Sequence, residues 1–201
     1  MEPAVLRIYS DYKSPYAYVH KAASYQLEAD YRITLEWRPY TLNIPLYLGT
    51  TEDRNDHQWR RVRYSYMDAR RLANQQGLVV RGPQKIFDSR LAHMGMLFAQ
   101  QHGVFHAYHD AVFDRFWKRE LDIESVDALS ALLAEVGADG PAFAAYAAGP
   151  GVAALVQVQA EAEAAGVFGV PMYVVNGELY WGGDRLPMVR DALDRAGLRR
   201  G

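Results

Sequence analysis

The sequence contains no cysteine. That absence excludes disulfides, thiolate metal ligands, a cysteine nucleophile and dithiol redox chemistry carried by the protein itself. There is also no surplus of basic charge: 22 Lys and Arg stand against 24 Asp and Glu, a net charge of −2. A nucleic-acid partner, which needs a basic face, is therefore not expected. No apolar run approaches the roughly 18 residues that span a bilayer, so no membrane partner is expected either. Met1-Glu2-Pro3 lacks the basic segment and apolar stretch of a secretory leader, and a cytoplasmic location is the expectation. Internal repeats and low-complexity linkers are absent. What remains has the composition of a globular chain: 201 residues, half of them hydrophobic, enough for one domain or one domain with an insertion.

The stretch Tyr9-Ser10-Asp11-Tyr12-Lys13-Ser14-Pro15-Tyr16-Ala17-Tyr18 follows a short apolar run, Ala4 to Tyr9, that reads as a buried strand. Ser14-Pro15 is a helix start, because serine accepts a bond from a free backbone N–H and proline fits the first turn. Ser14 then stands where backbone N–H groups converge and the helix dipole is positive, a place suited to an anion. Capping alone explains it equally well. Asp11 and Tyr12 are acid–base candidates beside it, but nothing in the sequence joins them to a histidine. A hydrolytic Ser-His-Asp triad is not expected.

The helix is expected over about 15–29, and Arg32 to Arg38 alternates as a strand with Ile33, Leu35 and Trp37 on one face. Strand, helix and strand at this spacing form a right-handed βαβ unit. Residues 39–56 read as irregular, and 56–165 as nearly all helix. Trp59, Val62, Tyr66, Ala69 and Ala73 line one side of its first helix, opposite Arg60, Arg61, Arg63, Arg70 and Arg71. Met172 to Val175 and Glu178 to Trp181 flank Asn176-Gly177, a type I′ hairpin signal. Gly182-Gly183-Asp184 opens a last helix, with Asp184 as a plausible N-cap and Pro187 in its first turn. His102, His106 and His109 have helical spacing, but Gly103 interrupts it and no metal site is expected. The order βαβ, helical block, ββα predicts an α/β thioredoxin-like fold. It implies a four-stranded mixed sheet from residues 1–55 and 166–201, with an inserted all-helical domain over 56–165.

Three motifs carry a resemblance: Ser14-Pro15-Tyr16-Ala17, Gly166-Val167-Phe168-Gly169-Val170-Pro171, and Trp181-Gly182-Gly183-Asp184-Arg185-Leu186. Trp37-Arg38-Pro39 and Arg61-Val62-Arg63-Tyr64 add softer matches. Over nearly its whole length the chain resembles the DsbA-like branch of the thioredoxin superfamily. Within that branch it is most similar to 2-hydroxychromene-2-carboxylate isomerases and kappa-class glutathione transferases. Ser14 and Ala17 stand where dithiol members carry cysteines. Lys13 departs from the apolar or small residue that isomerases carry there. Asp88 to His93, with Asp122-Ile123, is more similar to the broader DsbA-like oxidoreductases.

The resemblance implies glutathione as cofactor and Ser14 as the group that stabilises its thiolate. It implies a cis Val170–Pro171 bond, with the Val170 backbone pairing the cysteinyl unit in the manner of β-augmentation. The helix start at Gly183, Asp184 and Arg185 would receive the γ-glutamyl end. Arg61 would face the glycyl carboxylate, although five arginines on one helix are also the mark of a solvated face. The implied activity is that of an isomerase or transferase acting on a small electrophilic substrate, unsaturated and aromatic-derived, in a homodimer. The competing reading is a DsbA-like protein without dithiol chemistry that binds a peptide or thiol ligand.

Overall fold

The protein is described here by a computed structural model covering residues 4–201. Residues 1–3, on which the leader reading rests and with which the first expected domain begins, lie outside the described residues. β1 (Ala4–Ser10) leads through α1 (Pro15–Asp30) to a parallel β2 (Ile33–Pro39), in a register from Ala4 opposite Ile33 to Ser10 opposite Pro39. β3 (Met172–Val175) runs antiparallel to β1, and β4 (Glu178–Trp181) antiparallel to β3. The strand order is β2-β1-β3-β4, a mixed sheet of thioredoxin type. Asn176 and Gly177 take φ of 50° and 83°, the two positive values a type I′ turn requires.

Alternation along β1 divides its side chains between two cores. Leu6 and Ile8 pack with Trp37, Tyr173, Val189 and Leu193 on the face covered by α9 (Leu186–Arg195). Tyr9 packs with Ala162, Val170 and Met172 on the other face. Between the two halves of the sheet come α2 (Ile44–Leu48), α3 (Asp56–Gln75), α4 (Arg90–Gln101), α5 (Phe105–Trp117), α6 (Val126–Glu135), α7 (Gly140–Ala147) and α8 (Pro150–Ala164). Their core includes Ala17, Tyr18 and Val19 of α1. Tyr18 stacks on Phe113 and Trp117 at 5.5 and 6.2 Å. The first helix therefore belongs to the sheet at its C-terminal end, through Leu27, and to the helical block at its N-terminal end.

Two expectations need correction. Residues 39–56 are not wholly irregular: Asn43 accepts the Leu46 N–H, Pro45 sits in the first turn, and α2 results. Within the helical block, irregular segments at 76–89 and 118–125 separate the helices. Gly77 closes α3 with φ of 69°, and Pro83 can donate no backbone bond to a continuing helix. Asp184 is not an N-cap. It lies inside a 3₁₀ turn (Gly183–Arg185), and Arg185 occupies the N-cap position of α9 without a side-chain capping bond. No single helix among the described residues is long and apolar enough to cross a membrane.

The bend after β4 is tied to both neighbours. Gly182, at φ 101°, donates its N–H to the Pro171 carbonyl at 2.9 Å. Gly183 lies flat against the His20 ring of α1, so close that a Cβ there would stand 1.9 Å from His20 Cγ. His20 is held by the contact of its Nδ1 with the Tyr16 carbonyl at 2.9 Å. Gly183→Ala should therefore overpack this contact and cost about 1–3 kcal/mol in urea unfolding. Adding His20→Ala should return part of that loss. Equal stability of wild type and Gly183→Ala would show that the bend moves freely from α1.

Candidate active site

Ser14 is buried at the N-terminus of α1 and caps it, its Oγ accepting the Ala17 N–H at 3.2 Å. The Ser14 N–H in turn donates to the Asp11 carbonyl at 2.9 Å. The hydroxyl proton points across to the proline loop, where the Val170 carbonyl lies 3.5 Å away. That is the outer limit of a hydrogen bond, so the proton is easily redirected to a stronger acceptor. The Val170–Pro171 peptide bond is cis. Among the described residues the Val170 N–H has no partner within the protein. The first turn of α1, the proline loop and the Gly182-Gly183 bend thus meet at one place.

Not every expected residue is gathered there. Asp184 and Arg185 pair with each other at 2.7 Å, with 70% and 50% of their side chains exposed. Arg61 is exposed on α3. That helix is joined to α1 by the Tyr16 hydroxyl, which donates to Asp68 at 3.0 Å. Arg61 lies two turns before Asp68 on the same side of α3, about 10 Å along its axis. Lys13 is folded inward. Its side chain is 8% exposed and its Nζ lies 3.5 Å from Asp11 Oδ2.

Asp11 is the residue whose importance the sequence did not show. It is fully buried, and its carboxylate accepts the Lys13 N–H at 3.1 Å and the Leu42 N–H at 2.8 Å. His93 Nε2 approaches its Oδ1 to 3.4 Å, and His93 Nδ1 lies 2.8 Å from the Thr41 hydroxyl. Burial alone would raise the carboxyl pKa, but His93 and Lys13 more than offset it and hold the group well below the usual carboxylate range. A second histidine, His109, is also buried, 3.0 Å from the Tyr12 hydroxyl through its Nδ1. Burial pushes its pKa down, and it belongs to the aromatic core around Trp37 and Phe113.

Thr41 opens onto a groove of about 770 Å³ between α4 and α8. Leu91, Met94 and Val156 give it an apolar floor, with Asp88 and Glu163 at its rim. Lys13 is close enough to Asp88 to lower its pKa, after the larger effect of the Arg90 fork on the same carboxylate. The groove therefore ends beside the loop that carries Ser14. On the other side of the proline loop, Phe168 and Trp181 make an exposed edge-to-face pair at 4.9 Å.

A family model, the DSBA-like thioredoxin domain, matches residues 5–194. A 2-hydroxychromene-2-carboxylate isomerase from Pseudomonas putida is 26% identical over 195 residues, covering 95% of each chain. A solved 2-hydroxychromene-2-carboxylate isomerase superposes with a TM-score of 0.80 at 22% identity, covering 96% of this chain and 95% of that one. A probable DsbA oxidoreductase from Streptomyces coelicolor superposes with a TM-score of 0.76 at 21% identity, covering 96% and 89%. These two structures share the fold.

The charge state of Asp11 sets a pH test. Its folded pKa is depressed below the unfolded value of about 3.9, so its contribution to stability is present above that value and is lost progressively as pH falls from there toward the folded pKa. Asp11→Asn should cost about 3–5 kcal/mol at neutral pH, because Lys13 is left buried without its counter-charge. Urea unfolding from pH 7 to pH 3 should show the wild type beginning to lose this advantage below about pH 4, while the variant shows no such loss. Parallel pH curves for the two proteins would overturn the assignment.

Proposed function

The chain belongs to the DSBA-like thioredoxin domain family, and from that premise we propose that it is a glutathione-dependent isomerase or transferase. The observation that carries this reading is the Ser14 hydroxyl, set at the N-terminus of a 16-residue helix and aimed at the proline loop, in a chain with no cysteine. The named relatives include isomerases, which favours the isomerase form. The residues present fit glutathione. The Val170 N–H is unpaired among the described residues, and Ser14 offers a redirectable proton.

Bound glutathione supplies a nucleophilic thiolate, the sulfur this chain lacks. Ser14 donates to that sulfur and, with the N-terminal N–H groups of α1, favours its charged form. Val170 offers an N–H and a C=O to an extended backbone. The turn at Gly183, Asp184 and Arg185 supplies charged groups of both signs for an amino-acid end, once Asp184 and Arg185 exchange each other for ligand. Arg61 offers a bidentate donor for a carboxylate from α3. The α4–α8 groove holds a small electrophilic substrate, and its apolar floor keeps water from it. A homodimer is part of the same reading.

Titration calorimetry with glutathione tests the site directly. Millimolar or tighter binding is expected, and none at millimolar concentration would sink the reading in favour of a non-catalytic binder. In Ser14→Ala the thiol of bound glutathione should titrate about one to two pH units higher, followed by thiolate absorbance. An unchanged titration would remove Ser14 from the chemistry.

A further inference from the structure

We propose that Thr41, His93 and Asp11 form a proton relay in the wall of the α4–α8 groove, the Thr41 hydroxyl meeting the bound molecule and His93 holding the proton. The proposal deepens the reading above, on which it rests for the kind of molecule in the groove. Thr41 is half-buried and lines the groove, while His93 and Asp11 behind it are fully buried. Thr41 Oγ1 hydrogen-bonds with His93 Nδ1 at 2.8 Å, and His93 Nε2 stands 3.4 Å from Asp11 Oδ1 with no hydrogen-bond partner among the described residues. An ionised carboxylate can only accept, so the Nε2 facing it carries a hydrogen. In neutral His93 the Nδ1 lone pair is then left for the Thr41 hydroxyl, which places the base toward the groove. The 3.4 Å contact is long, as acid–base contacts often are before a ligand is bound.

The connectivity is that of an oriented base, with Asp11 fixing the tautomer and pairing the imidazolium that forms. The hydroxyl partners the buried His93 Nδ1 rather than anchoring its own segment. The Thr41 segment is already anchored through its backbone, Thr41 N–H to Gln159 Oε1 at 2.9 Å and Leu42 N–H to Asp11 at 2.8 Å. The groove's occupant on this reading is a molecule with an ionisable hydroxyl, an enol or a phenol. The ligand O–H bond breaks and its proton goes to Thr41 Oγ1, while the Thr41 proton passes to His93 Nδ1. Reversal returns the proton to the ligand, and no electrons are transferred. The other titratable or charged groups around the ring are Lys13, Tyr12 with its ring 5.6 Å away, and His109 from α5.

The test uses the full chain and 4-nitrophenol, whose absorbance reports its ionisation. Bound to wild type, the phenol should ionise roughly tenfold more readily than when bound to Thr41→Val, a shift of about one pH unit. Thr41→Ser should restore the wild-type titration, and His93→Gln should behave as Thr41→Val does. With glutathione and 2-hydroxychromene-2-carboxylate, Thr41→Val should lower kcat by roughly 10²-fold at unchanged KM. Identical nitrophenol titrations in wild type and Thr41→Val would overturn the relay, as would failure of 4-nitrophenol to bind. Failure of glutathione to bind the wild type would sink the proposed function and leave the nitrophenol titration to decide the relay.

Discussion

A carboxylate taken wholly out of water must be met by donors, and much of this structure is arranged around meeting the one on Asp11. Three residues supply what meets it: Lys13 through its backbone N–H and its ammonium, Leu42 through its backbone N–H, and the His93 ring at 3.4 Å. The requirement fixes the first loop onto the segment after β2 and onto α4 at once. The Asp11 carbonyl then receives the Ser14 N–H, so the residue that caps α1 is held by the same anchor. Placement of Ser14 is in this sense a consequence of solvating a buried ion.

The same anchor explains why a cysteine-free chain keeps this fold. The start of α1 needs only a small polar group to cap its first turn. Serine does that, with Oγ accepting the Ala17 N–H. Its hydroxyl still has a proton to give, and the nearest protein acceptor is a carbonyl at the limit of reach. Capping uses the oxygen as acceptor, while the proposed glutathione binding would use it as donor. The two roles draw on different parts of one hydroxyl and do not compete.

Most of the fold was legible because it is written locally. Ser14-Pro15, Asn176-Gly177 and the alternation of Ile33, Leu35 and Trp37 each declare their structure within a few residues, and the order of elements follows from them. The site was legible only where it too is local or carried by a motif. Ser14 and the proline loop were found in this way. His93 and Thr41, 52 residues apart, have no spacing that announces a contact, and both look ordinary on their own elements. Asp184 was misjudged for the opposite reason. Its local pattern fits an N-cap, but the bend pinned by Gly182 and His20 places it in a 3₁₀ turn one residue too early. The inward turn of Lys13 depends on Asp11 being buried, a tertiary fact that no neighbouring residue encodes.

These contacts also bear on how substrate and cofactor chemistry would be joined. Ser14 faces the proline loop on one side of the first loop, and Thr41 faces the groove on the other. Between them stands Asp11, bonded through its backbone to Ser14 and through its side chain toward His93. A proton gained by His93 changes the field at Asp11, and Asp11 is the counter-ion of Lys13 beside Ser14. In the proposed relay, charge developing in the groove would reach the helix N-terminus through Asp11 without any movement of the backbone, because the groups between are buried and poorly screened.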